Sequence, residues 1–244
     1  MKPGTLYLIP VPLGPSPLHE VLPDAVIAQA AKLTHFVAEN AKSARAFLKS
    51  LPSITPLQQI NIQELNEHTP PQAVARLLDH LRVGHDLGLI SEAGCPAIAD
   101  PGAVLVALAH DADIPVVPMV GPSSLLLALM GSGLCGQNFA FHGYLPAKEV
   151  PRHKRILELE NESRRMGRTQ LFIETPYRNA KLFDALLTTC APSTRIGIAA
   201  DLTLSSPYLM TRQCDAWRQS ERPDIDKRPA VFLLQACSSR GDTV

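Results

Sequence analysis

The sequence lacks the features that mark several large classes of protein. Its 244 residues contain no apolar run long enough to span a bilayer, and no signal-peptide pattern follows Met1. Basic and acidic residues both number 23, so the formal net charge is zero and a surface that coats nucleic acid is not indicated. A hydrophobic share of 45% is enough for a core, and disorder is not indicated.

Several chemical motifs are also missing. The five cysteines are scattered without a CxxC pair, which favours free thiols in a cytoplasmic protein. The eight histidines form no HExxH pair, so we predict no metal site. No GxxxxGK[ST] phosphate loop occurs, which argues against an ATPase, and no GxSxG elbow occurs either. A literal GxGxxG, residues 131–136, ends a predicted helix instead of opening one, so we interpret it as a C-cap and interdomain loop.

One stretch organises the rest of the chain: LGLISEAGCPAIADPG, residues 87–102. Its first four residues predict a buried strand, and the Gly- and Pro-rich part that follows predicts a loop. Asp100 before Pro101 predicts an N-cap for a helix over residues 103–109. In an open α/β sheet such a loop lies at the carboxyl edge, where ligands bind, although an ordinary βα turn fits the local pattern equally well.

Strands and helices alternate through the first half, which predicts an α/β domain with a mostly parallel sheet and helices on both faces. After residue 138 strands follow each other more closely and helices are fewer, which predicts a mixed sheet. We expect two domains, residues 1–135 and 136–244. Strands are predicted over 5–9, 34–38, 60–65, 87–90, 114–120, 139–144, 170–174, 195–200, 208–212 and 230–235. Helices are predicted over 25–33, 41–51, 72–83, 103–109, 124–130, 153–165 and 180–187.

Three Gly- and Pro-rich loops, residues 10–15, 91–102 and 121–125, should meet at the carboxyl edge of the first sheet. Together they predict a site where backbone groups hold a flat or extended ligand. In the second half Glu174 and Arg178 can form an ion pair, or Arg178 can lie on a solvated face. The basic run 148–155 is either a solvated helix face or an arm that contacts phosphate.

Five motifs, taken in order, resemble the tetrapyrrole-methylase superfamily of class III S-adenosylmethionine-dependent methyltransferases. The branch that methylates the cytidine 2′-hydroxyl of small-subunit ribosomal RNA, with SDAGTPGISDPG, PGPSALLAAL, FEGFLP and ESPHR, is the most similar. The motifs here are GTLYLIPVPLG (4–14), ISEAGCPAIADPG (90–102), VGPSSLLLALMGSGL (120–134), FAFHGYLP (139–146) and LFIETPYR (171–178).

The resemblance implies two α/β domains with the methyl donor, S-adenosylmethionine, in the cleft between them, and usually a homodimer. It also implies a set of residues that contact the donor. That set is Leu13, Glu92, Gly94, Cys95, Ser123, Ser124, Leu125, Ile173, Ala200, Asp201 and, more loosely, Ala230.

A 2′-hydroxyl acceptor also needs a base, for which Glu39, Glu174 and Asp201 are candidates, with Glu39 first. The acceptor side departs from the branch: residues 39–42 read ENAK where the branch has EDTR, and 200–204 read ADLTL where it has RELTK. Ribosomal RNA is therefore one expected acceptor, and a tetrapyrrole or other small molecule is the alternative. A third hypothesis is a non-catalytic homologue that binds the nucleoside donor.

Overall fold

The computed structural model describes residues 2–52 and 55–237. These residues form two compact units, one ending at Ser123 and the other beginning at Ser124. The predicted boundary after residue 135 lies one helix further along the chain. That helix packs its buried Ala128 and Leu129 against the second sheet, which is why it groups with the second unit.

The first unit is built on a five-stranded, all-parallel sheet of strand order β3-β2-β4-β1-β5, as the alternating pattern predicted. Its strands are β1 (Leu6–Leu8), β2 (His35–Ala38), β3 (Asn61–Glu64), β4 (Leu87–Ile90) and β5 (Val116–Pro118). Its helices are α1 (Leu18–Val21), α2 (Asp24–Lys32), α3 (Ala41–Ser50), α4 (Pro71–Arg76), α5 (Asp79–Arg82) and α6 (Gly102–Asp111).

Successive strand residues of this sheet enter two separate cores, because side chains alternate between the faces of a strand. Val37 packs with α4, α5 and α6 on one face. Its neighbours Phe36 and Ala38 pack with α2 and α3 on the other face. The sheet is therefore covered by helices on both faces, as predicted.

Two helix predictions differ from the structure in detail. The helix predicted over 72–83 is interrupted at Leu77 and Leu78, whose amides bond to carbonyls three residues back, with N–O distances of 3.0 and 3.3 Å. The apolar residues stay buried through this break. Their spacing therefore predicted the buried face correctly, but the prediction of one continuous helix was wrong. Helix α6 begins at Gly102 with Pro101 in the cap position, so the predicted N-cap, Asp100, lies one residue before the observed one.

The second unit contains a mixed sheet of order β6-β7-β10-β8-β9, in which only the β6–β7 pair is parallel. Its strands are β6 (Phe139–Tyr144), β7 (Thr169–Ile173), β8 (Arg195–Ala200), β9 (Tyr208–Gln213) and β10 (Ala230–Gln235). Its helices are α7 (Ser124–Ser132), α8 (Glu149–Met166), α9 (Asn179–Thr189) and α10 (Cys214–Gln219).

Helices α8, α9 and α10 share one core with this sheet, around Phe172 and Phe232. Helix α7 packs on a second cluster that contains Leu171 and Val231. The sequence did not predict α10, because its six residues are too few to show a helical repeat; only Cys214 and Trp217 are buried in it.

Gly133 follows α7 with φ of 68°, which confirms a left-handed C-cap there. All five cysteines are free thiols. Within the described ranges, no group of three or more His, Cys, Asp or Glu side chains could hold a metal ion. None of the helices described has both the length and the apolar character needed to cross a bilayer.

Candidate functional site

The three loops at the carboxyl edge of the first sheet meet, as predicted. Val11 and Gly94 exchange two backbone hydrogen bonds, with N–O distances of 2.9 and 3.1 Å. The Cys95 thiol lies 3.4 Å from the carbonyl oxygen of Pro122. The strands that precede these loops are adjacent in the sheet, in the order β4-β1-β5, so parallel pairing brings the loops together.

Gly94 holds the centre of this loop cluster. Its φ is 73°, a left-handed value that an L side chain rarely adopts. A Cβ built there would lie 3.1 Å from a methyl carbon of Leu13 and 3.3 Å from the carbonyl oxygen of Pro122. The close approach of three backbones therefore depends on the missing side chain.

The loop after β4 stores backbone strain around one carboxylate. Ala97 and Ala99 have φ of 65° and 61°, values that are costly for residues other than glycine. The Asp100 carboxylate accepts hydrogen bonds from the amides of Ala97 (3.0 Å) and Gly102 (2.7 Å). Burial raises the pKa of Asp100, and these two amide bonds oppose that rise. The loop is thus held in one shape by a residue whose sequence position suggested only a helix cap.

Acidic side chains cluster at the same edge of the sheet. Glu39 follows β2, and its pKa is raised above the ordinary 4.5, first by burial and then by the charges of Glu92, Asp100 and Glu67. The Ser43 hydroxyl donates a hydrogen bond to the Glu92 carboxylate. This edge therefore gathers several acidic side chains, and the pKa of one of them, Glu39, is higher than that of an ordinary glutamate.

The second unit brings its own candidate residues to one edge of its sheet. Strand β10 runs antiparallel to β7 and β8, so its first residues meet the last residues of both neighbours. Ala230 pairs with Ala200, and Val231 pairs with Ile173. Leu125, from the first turn of α7, belongs to the same hydrophobic cluster as Ile173.

Asp201 follows β8 in a conformation that Arg228 fixes. Its φ is 49°, and Thr203 follows with φ of 69°. The Arg228 guanidinium donates to the Asp201 carboxylate at 2.5 Å and to the carbonyl of Ser206 at 2.6 Å. The Arg228 carbonyl in turn accepts a hydrogen bond from Asn179 at 2.7 Å. One arginine therefore connects the loop after β8, the loop before β10 and the start of α9.

Glu174 and Arg178 form the ion pair that was one of two sequence alternatives. Oxygen Oε1 of Glu174 accepts bonds from Arg178 Nη2 (2.7 Å), Arg178 Nε (3.0 Å) and the Thr175 amide (2.7 Å). Glu174 is only 4% exposed, and its other oxygen, Oε2, is buried without a hydrogen-bond partner. Thr175 makes no capping bond with its side chain.

The predicted donor-contacting residues thus fall into two sets, each collected at one sheet edge or at the start of α7. The first unit contributes Leu13, Glu92, Gly94, Cys95 and Ser123, and the second contributes Ser124, Leu125, Ile173, Ala200, Asp201 and Ala230. Sequence reasoning missed Arg228, because nothing in the run DIDKRPA shows that its arginine reaches back to a turn 27 residues earlier.

No family model matches the chain. The ribosomal RNA small subunit methyltransferase I of Xylella fastidiosa is 35% identical over 232 residues, which cover 95% of this chain and 81% of that protein. The chain belongs to this methyltransferase family. The Synechocystis member is 34% identical, and the match covers 82% of this chain and 67% of that protein. The Streptococcus pyogenes member is 37% identical, and the match covers 72% of this chain and 57% of that protein.

Solved structures support the fold of this family member. The methyltransferase CobJ superposes with a TM-score of 0.62 at 16% identity, covering 99% of this chain and 97% of its own. The cobalt precorrin-4 methyltransferase CbiF also reaches 0.62, at 12% identity, covering 95% and 94%. The tetrapyrrole-methylase resemblance of the motifs is therefore confirmed as a shared two-sheet fold.

Proposed function

We propose that this chain transfers a methyl group from S-adenosylmethionine to a ribose 2′-hydroxyl of small-subunit ribosomal RNA. The observation that carries this proposal is the 35% identity over 95% of the chain to a named ribosomal RNA methyltransferase. The candidate residues collect in two sets, each at the edge of one sheet or at the start of α7, and the nearby loops are strained. Both features support the proposal, because backbone strain of this kind concentrates at functional sites.

The residues of the first sheet edge suit the donor. Gly94 lets the loops that carry Leu13 and Pro122 approach each other closely, which fits a ligand held mainly by the main chain. The negative charges of Glu39 and Glu92 favour a sulfonium cation there. When bound, the donor supplies an activated methyl group, so the protein's own task is alignment and proton removal.

Among the three candidate bases, the geometry favours Glu39. Glu174 and Asp201 both accept hydrogen bonds from guanidinium groups, those of Arg178 and Arg228. Glu39 has a raised pKa, which brings its proton affinity closer to that needed for a general base near neutral pH. We propose that Glu39 accepts the proton of the acceptor hydroxyl.

Calorimetric titration with S-adenosylhomocysteine tests the donor site. We expect binding to the wild-type protein and a loss of about tenfold or more in Gly94→Ala, because the new Cβ crowds Leu13 and Pro122. Gly133→Ala is the matched control, since Gly133 has a similar φ of 68° but nothing lies within 4 Å of its would-be Cβ. Equal affinities in both variants would remove Gly94 from the site.

Transfer of a labelled methyl group to undermodified small ribosomal subunits tests the acceptor. Labelled RNA with the label on ribose is the expected result. Donor binding without RNA labelling, followed by labelling of a porphyrinoid, would favour the tetrapyrrole alternative, which the altered ENAK and ADLTL segments left open. Donor binding with no labelled acceptor would favour the non-catalytic hypothesis.

We also infer a cytoplasmic homodimer. Five free thiols are usual in a reducing compartment. Met130 and Leu126, one turn apart on α7, are 79% and 51% exposed, and exposed apolar side chains of this size are frequent at subunit interfaces. Light scattering should give twice the 26.4 kDa chain mass; the single mass would contradict this inference.

A further inference from the structure

The arginines of helix α8 differ in their burial and in whether a carboxylate pairs with them, and the sequence shows neither property. Arg155 lies 3.2 Å from Glu158, and Arg164 lies 3.6 Å from Glu160. Arg152 is the most buried of them, at 7% exposure, yet no carboxylate lies within ion-pair distance of it in the described residues. The most buried arginine of this helix is therefore without a carboxylate partner among the described residues.

The hydrogen bonds of Arg152 do not replace that counter-charge. Its Nη1 donates to the carbonyl of Ala147 at 3.3 Å, and its Nε is buried with no partner. A buried cation with an unsatisfied donor is costly, and proteins normally supply an anion to such a group. The described residues supply no such anion, and a bound anionic ligand would fill this role.

The surroundings of Arg152 add positive potential. It lies in the first turn of an 18-residue helix, whose N-terminus carries a partial positive charge. The cap residue is Lys148, and no side chain caps the helix. The one acidic residue of this turn, Glu149, is 80% exposed and lies 4.0 Å from His153. The Arg152 guanidinium (which bonds to Ala147 just before the helix), Lys148 and the uncapped helix end are groups of the kind that bind phosphate.

An aromatic side chain stands close by in the chain. Tyr144 ends β6, three residues before Ala147, and is 60% exposed. Proteins that bind single-stranded nucleic acid typically combine exposed aromatic rings with basic residues, because a base can stack on a ring while its phosphate is neutralised.

We propose that Arg152 and the N-terminus of α8 form an anion site that takes a backbone phosphate of the RNA acceptor. This proposal rests on the proposed RNA methyltransferase function and adds to it the place where the acceptor is held. It selects the phosphate-contacting alternative for the basic run and assigns the contact to its buried arginine instead of its exposed lysines.

The first test compares Arg152→Met with Arg165→Met, which removes the same charge from an exposed position at the other end of α8. We expect Arg152→Met to raise the KM for undermodified small subunits by about tenfold and to reduce the salt slope of RNA binding by about one. Affinity for S-adenosylhomocysteine should stay within twofold, and the control should change neither RNA parameter.

Thermal unfolding separates this role from a structural one. Removing an unpaired buried cation should leave the Tm of Arg152→Met unchanged or higher. A lower Tm combined with unchanged RNA binding would mean that Arg152 only supports the fold, and would overturn the proposal.

A second measurement follows the wild-type protein directly. The NMR signal of the Arg152 Nε–H group, assigned with Arg152→Lys, should shift in the wild-type protein when a short single-stranded RNA is added. A shift with inorganic phosphate alone, and none with RNA, would assign the site to a free anion and overturn the RNA proposal. No shift with either would overturn the site itself. If wild-type protein binds the donor but labels no RNA, the proposed function fails, while the phosphate titration still decides the anion site.

Discussion

At the residue scale, Glu39 makes the clearest prediction for catalysis. Its raised pKa means that the basic form is lost as pH falls through a value above 4.5, so the methylation rate should fall in that range. Glu39→Gln should lower kcat by roughly 10²- to 10⁴-fold, the usual contribution of a general base. Single-turnover rates measured from pH 5 to pH 8 check both expectations.

The comparison variant for Glu39 is Glu20→Gln, a change of the same kind at an exposed position on α1. It should keep the wild-type rate and pH profile. If Glu39→Gln instead retained kcat within threefold while Glu174→Gln lost it, the base would be Glu174, and its pairing with Arg178 would need to open during the reaction.

A group of three histidines gives a prediction for stability. The His35 ring lies 4.3 Å from the ring of His80 and 5.0 Å from that of His85. Burial, and then the charges of these two neighbours, lower the pKa of His35 below 6.5. The unfolded chain therefore binds a proton first as pH falls, so the free energy of unfolding should decrease below about pH 6.5.

Urea unfolding at pH 7.5 and pH 5.5 measures this loss of stability. His35→Gln should make the unfolding free energy less dependent on pH, whereas His110→Gln, at an exposed position, should not. An equal pH dependence in wild type and His35→Gln would show that other groups control it.

The positions of some functional residues could be predicted from the sequence, and those of others could not. Gly94 and Glu39 follow predicted strands, so their place at a sheet edge could be inferred. Arg152 was only one of several cations in a basic run, since burial and the absence of a carboxylate are known only once α8 is packed on its sheet. Roles that depend on long-range contacts have no local signal.

At the scale of elements, the loop after β8 depends on one guanidinium. Arg228→Ala should free the left-handed Asp201 and Thr203, because it removes the bonds to Asp201 and Ser206. We expect faster hydrogen exchange at Leu204, whose amide bonds to the Asp201 carbonyl, and about tenfold weaker binding of S-adenosylhomocysteine.

Two further variants serve as comparisons for Arg228→Ala. Arg228→Lys should not restore binding, since an ammonium group cannot reproduce the planar bonds to both acceptors. Arg222→Ala, which breaks an exposed pair with Asp184, should bind like the wild type. Unchanged exchange in Arg228→Ala would show that the turn is held by its backbone alone.

Elements were predicted well where they were long or regularly patterned. The ten strands lie where apolar and β-branched runs predicted them, with ends shifted by a few residues. The break between α4 and α5 was not predicted, because a buried leucine stripe looks the same in a continuous helix and in an interrupted one. The short α10 was missed for lack of length.

At the scale of the whole molecule, the first unit should fold without the second. Its five strands pair only with one another, and its two cores draw on helices of the same unit. A fragment of residues 1–123 should show helical circular dichroism and one cooperative urea transition. A broad transition, or none, would mean that the second unit is needed to stabilise it.

The order of strands in the second sheet affects when each unit can fold during translation. Strand β10 lies at the centre, between β7 and β8, although it is the last strand of the described chain. During translation β6, β7, β8 and β9 leave the ribosome with the middle of their sheet missing, whereas the first sheet is complete once β5 has emerged. The first unit can therefore fold on the ribosome, while the second must wait until its final strand is released, and chaperones would meet it in that interval.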